Sequence, residues 1–118
     1  MNKDYTSVEQ SQKLINLGID KTTSDMHYDK HPLENYYSPI PIIGKYSEIH
    51  DQFPCWSLTA LLDVLPNGTD IIKEEADTEN ERYMCTVGIN DDIISTFANN
   101  PVDVCYEMIL KLHKLKML

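Results

Sequence analysis

The chain has 118 residues, 42% of them hydrophobic and 25% charged, the size and composition of one folded domain spanning residues 1–118 rather than of a disordered tail. Nineteen acidic residues against ten basic ones leave a net charge of −9, and Arg82 is the only arginine. That balance argues against direct binding to nucleic acid or to an anionic membrane, because such affinity comes from lysines and arginines that displace counterions.

The N-terminal stretch MNKDYTSVEQ carries no apolar signal-like core, and the greasiest run, PIPII, falls far short of the ~20 residues a membrane span needs. Cys55, Cys85 and Cys105 are odd in number, widely spaced and free of any Cys-x-x-Cys pair. Reduced thiols in a cytoplasmic protein are the expectation.

In chain order, the first predicted element is a surface helix. Thr6 with Glu9, or Ser7 with Gln10 one residue later, gives a capping-box pattern. Val8, Leu14, Ile15 and Leu17 then fall toward one side, and Gly18 supplies a left-handed stop. Residues 20 to 52 are harder to read. In YYSPIPIIGKY the two prolines exclude a central strand but permit an edge strand or an extended loop. In FPCWSLTALLDVLPNG, the residues Leu58, Leu61, Leu62 and Leu65 repeat at helical period, with Pro54 and Ser57 near the start and Pro66-Asn67-Gly68 as an abrupt stop. TDIIKEE and ERYMCTVG read as strands joined by the acidic loop EEADTENE, with Tyr83, Cys85 and Val87 on one face and Met84 and Thr86 on the other. INDD is a turn into a third strand, IISTF.

The last helix is the clearest. Asn100 caps it, Pro101 takes its first position, Asp103 lies in its first turn, and Lys111, Lys114 and Lys116 lie near its end, all as the helix dipole favours. Cys105, Met108, Ile109, Leu112 and Leu115 form the apolar stripe, which Tyr106, Leu110 and Met117 widen. Only Asp103, Glu107, Lys111 and Lys114 remain as a polar strip. A helix this apolar is either central to the domain or the face of a homodimer.

Four segments, SVEQSQKLINLGI, TTSDM, PCWSLTALLDVLP and NPVDVCYEMILKL, resemble in order and spacing a group of small acidic proteins from prophages and other mobile elements of gut anaerobes. The likeness covers about half the chain, leaving out residues 28 to 52 and 66 to 82. It implies a mobile-element origin and a bacterial cytoplasm, and it brings no catalytic residues with it.

Candidate chemistry concentrates in SDMHYDKHPLE, residues 24 to 34. If extended, this stretch projects Asp25, His27, Asp29 and His31 from one face, a donor set suited to Zn²⁺, Mn²⁺ or Fe²⁺. Alternate residues on a strand stand roughly 6–7 Å apart, so two could chelate but four could not, and His50 with Asp51 is the obvious further supply. A solvated connector is the preferred reading. Cys55 beside Trp56, with His50 and Asp51 nearby, offers a thiol and a base. No oxyanion-hole context surrounds it, so a small buried hydrophobe is preferred there too. The tyrosines around the proline-rich stretch (Tyr36, Tyr37 and Tyr46) and the acids Glu74 and Glu75 are the candidates for a contact surface.

The expected fold is therefore α+β, with about three helices packed on a small antiparallel sheet in two layers. The expected function is that of a non-enzymatic accessory or protein-binding module of a bacterial mobile element, with an unknown protein partner, no cofactor, no metal, no nucleic acid and no membrane. A small metal-dependent or cysteine-based enzyme is the first alternative. An acidic mimic of nucleic acid is the second.

Overall fold

The computed structural model describes residues 3–30, 40–48, 52–74 and 82–118. Within them three helices, α1 (Val8–Asn16), α2 (Leu58–Val64) and α3 (Pro101–Lys114), combine with six strands. The strands are β1 (Met26–Asp29), β2 (Ile42–Ile43), β3 (Gln52–Cys55), β4 (Asp70–Glu74), β5 (Arg82–Ile89) and β6 (Asp92–Ala98). The α+β class holds, with the strands divided between two antiparallel sheets of order β2-β1-β3 and β4-β5-β6.

The meander β4-β5-β6 follows the sequence pattern. Asn90 and Asp91 both take left-handed backbone, φ 51° and 69°, and so make the tight two-residue turn that matches strand twist. Cys85 and Val87 on β5, with Ile94 and Thr96 on β6, face inward and are buried. The helix α3 lies on that inner face. Its Val102, Val104, Cys105, Met108, Ile109 and Leu112 are fully buried, and the buried hydroxyl of Thr96 donates to the Val104 carbonyl at 3.0 Å. The Cys85 and Cys105 thiols are both fully buried between sheet and helix. Leu14 from α1 and Trp56, Ala60, Leu61 and Leu65 around α2 complete the core, which makes α3 the central helix. Leu115, expected in its stripe, lies instead at the end cap and is 47% exposed.

The helix caps are those the sequence allows. Ser7, not Thr6, caps α1: its hydroxyl accepts from the Gln10 amide N–H at 3.1 Å, while Gln10 Oε1 accepts from the Ser7 N–H at 3.0 Å. Asn100 Oδ1 accepts from the Asp103 N–H at 2.8 Å. Gly18 and Gly68 sit at φ +90° and +84° just past their helices, where only glycine avoids strain.

The second sheet corrects the connector reading over residues 26 to 29, and residues 31 to 34 lie outside the described residues. Met26–Asp29 is its central strand, paired with Ile42–Ile43 on one side and Gln52–Cys55 on the other. The proline constraint survives: Ile42 follows Pro41, and Pro54 lies within β3, and both of those strands are edges. Thr6 fastens this sheet to α1. It is completely buried. Its N–H donates to the Trp56 carbonyl at 2.9 Å, and its hydroxyl accepts from the Trp56 N–H at 3.0 Å and bonds Ser11 Oγ at 2.8 Å. Its carbonyl accepts from Tyr28 Oη at 2.8 Å and from Cys55 Sγ at 3.3 Å.

Candidate protein-binding surface

Strand geometry decides the fate of the alternating Asp/His stretch. The carboxylate of Asp25 accepts from the Ser57 N–H at 2.9 Å and from the Ser57 hydroxyl. Ser57 in turn caps α2 through the Ala60 N–H, so Asp25 braces a helix start. His27 is 9% exposed, and its Nδ1 lies 2.8 Å from the Gly44 carbonyl while Nε2 lies 3.7 Å from Asp29 Oδ1. Asp29 also accepts from Gln52 Nε2 at 3.2 Å. His27 and Asp29 are thus brought together, Asp25 is turned to a different partner, and His31 lies outside the described residues. Among the described residues no three His, Cys, Asp or Glu side chains converge as metal ligands.

Cys55 is buried beneath the Thr6 carbonyl. Desolvation pushes its thiol above the ordinary range, against weaker opposition from hydrogen bonds with Thr6 and Tyr28, the reverse of what activates a nucleophile. The base candidates His50 and Asp51 lie outside the described residues. Tyr28 Oη is likewise raised, first by burial, as suits a structural hydroxyl held on a carbonyl.

Of the contact candidates, Tyr36, Tyr37 and Glu75 lie outside the described residues. Tyr46 is half-buried and its hydroxyl reaches Glu48. It lines a shallow hollow of about 400 Å³ with Lys21, Thr22, Lys45 and Ser47. Glu74 pairs with Arg82 at 3.2 Å, and the Arg82 guanidinium stands 4.3 Å over the Phe97 ring. That chain of contacts leads onto the outer face of the meander.

The outer face is the feature that sequence reading passed over. The register sets Ile72 opposite Met84 and Met84 opposite Phe97, one row across all three strands. Ile72 and Phe97 are each 46% exposed, and Ile93, a few residues along β6, is 77% exposed. Asp70 on β4 and Asp91 and Asp92 at the β5–β6 turn lie around this row, while Glu74 is neutralised by Arg82, which stands over Phe97. The signal was present in the strand alternation: Met84 sits on the face opposite Cys85 and Val87, and the same parity selects Ile72 and Phe97. Among the described residues helices cover only the inner face, and Ile72, Ile93 and Phe97, the last beneath Arg82, stay part-exposed, the situation that marks a contact surface.

A scan against protein-family models, a search of curated proteins and a search of solved structures each return no match for this chain.

Proposed function

We propose that this chain is a non-enzymatic accessory module of a bacterial mobile element that acts by protein–protein contact through the outer face of β4-β5-β6. The supporting observation is the Ile72–Met84–Phe97 row, an apolar strip on a sheet face that the helices among the described residues leave uncovered. A partner with an apolar strip and a basic rim fits it. The acids around the row attract such a partner at long range, while burial of the strip supplies the affinity. The mobile-element origin rests on the sequence resemblance, and the cytoplasmic location on that resemblance and on the scattered cysteines.

Capture from bacterial lysate with the wild-type chain beside an Ile72→Lys variant tests the proposal. Ile72 is on the edge strand and half exposed, so the lysine leaves the core untouched. A protein retained by wild type and lost with I72K is the expected result. Equal retention, or no specific retention by either chain, overturns it.

A further inference from the structure

The meander ends at β6, and no described segment pairs with its outer edge. The edge is chemically live. Lys111 Nζ donates to the Ser95 carbonyl at 3.0 Å, so the backbone of Ser95 points away from β5. By the alternation of an antiparallel ladder, the N–H and C=O groups of Ile93 and Phe97 point the same way. The strand runs for seven residues without a proline. Beside it runs a groove of about 480 Å³, bounded by Ser95 and Phe97 on the strand and by Asp103, Glu107 and Lys111 on α3.

We propose that a second copy of this chain fills that groove, β6 pairing antiparallel with β6 about a two-fold axis at Ser95 to join two three-stranded sheets into one of six. Three features of the edge are complementary to themselves under this operation. The two Ser95 residues exchange N–H and C=O bonds, replacing the Lys111 ammonium on the carbonyl. Ile93 of each copy falls opposite Phe97 of the other, so two apolar cross-strand pairs form on the outer face. The charges also match. Arg82, seated over Phe97, comes beside the Asp91-Asp92 turn of the second copy. The two α3 helices run antiparallel, setting Glu107 of one against Lys114 of the other, while the two Lys111 side chains lie near the axis. A lone lysine on an exposed edge is also a common guard against pairing; here the displaced Lys111 turns toward Glu107, one turn earlier on its own helix.

The pairing uses the edge and the flank of Phe97 but leaves Ile72 and Met84 untouched, so it stands or falls separately from the partner reading above, which Ile72→Lys tests. Sedimentation of the full chain from about 10 to about 500 µM tests it by mass action. The expected result is a concentration-dependent dimer. Ile93→Lys, at a position 77% exposed, weakens it at least about tenfold by setting a charge against Phe97, with an unchanged melting temperature at concentrations where both chains are monomeric. Glu107→Lys and Lys114→Glu chains each dimerise poorly alone and recover when mixed, because the unlike charges then face one another. A wild-type chain that stays monomeric throughout overturns the proposal. So does a dimer indifferent to I93K, or charge variants that do not recover on mixing. The I72K chain dimerises as wild type does.

Discussion

Replacing Thr6 by valine is the sharpest probe of what joins the N-terminal segment to the rest of the fold. The substitution keeps the β-branched shape and removes only the hydroxyl. In the native protein that hydroxyl accepts from the Trp56 N–H at 3.0 Å and bonds Ser11 Oγ at 2.8 Å, in a site closed to water. Ser11 Oγ keeps a second partner, the Ser7 carbonyl at 2.7 Å, so its loss is small. The Trp56 N–H is left buried with no partner, which costs about 1–3 kcal/mol. For a chain of this length each kcal/mol lowers the melting temperature by about 4 °C, so the expected drop is about 4–12 °C. Trp56 is the only tryptophan and is fully buried, so its fluorescence follows the transition, and urea unfolding gives the free energy. Thr59→Val, on the exposed side of α2, is the control and leaves stability within about 0.5 kcal/mol. If T6V is as stable as T59V, the Thr6 hydroxyl does not fasten α1 to the β3–α2 corner.

Two further outcomes follow from backbone strain and from charge. Asp91→Gly stabilises the protein by about 0.5–1 kcal/mol, because φ 69° at that position suits glycine and strains an L-residue; thermal unfolding measures it, and a destabilised D91G contradicts the turn assignment. Asp103 resists ionisation through burial, yet hydrogen bonds from Gln10, Asn100 and Lys3 outweigh this and hold its carboxyl below the ordinary carboxylate range. A lowered folded-state value means that the contribution is fully present above the unfolded value, near about pH 4, and is lost as pH falls through the folded one. The stability difference between wild type and Asp103→Asn, followed by urea unfolding at successive pH values, therefore favours wild type at neutral pH and shrinks in acid. A difference that grows on acidification contradicts that sign.

Local chemistry and periodicity settled much of this protein before any tertiary contact. The Ser7–Gln10 box, the Asn100-Pro101 start, the glycine stops and the two-residue turn at Asn90-Asp91 are short-range events, written in neighbouring residues. So is the inward parity of Cys85 and Val87. The sequence left two facts open that depend on groups distant along the chain. Residues 26–29 become a central strand because Ile42–Ile43 and Gln52–Cys55 come to lie on either side, and Thr6 becomes a buried hub because Trp56, fifty residues later, returns to it. The alternation of Asp25, His27 and Asp29 was legible, but its meaning was not: Ser57, Gly44 and Gln52 claim those side chains, and none of the three is nearby in sequence. The apolar row on the meander's outer face follows from parity within each strand. Only the register between strands aligned Ile72, Met84 and Phe97, because a slip of one residue would have turned each side chain to the opposite face.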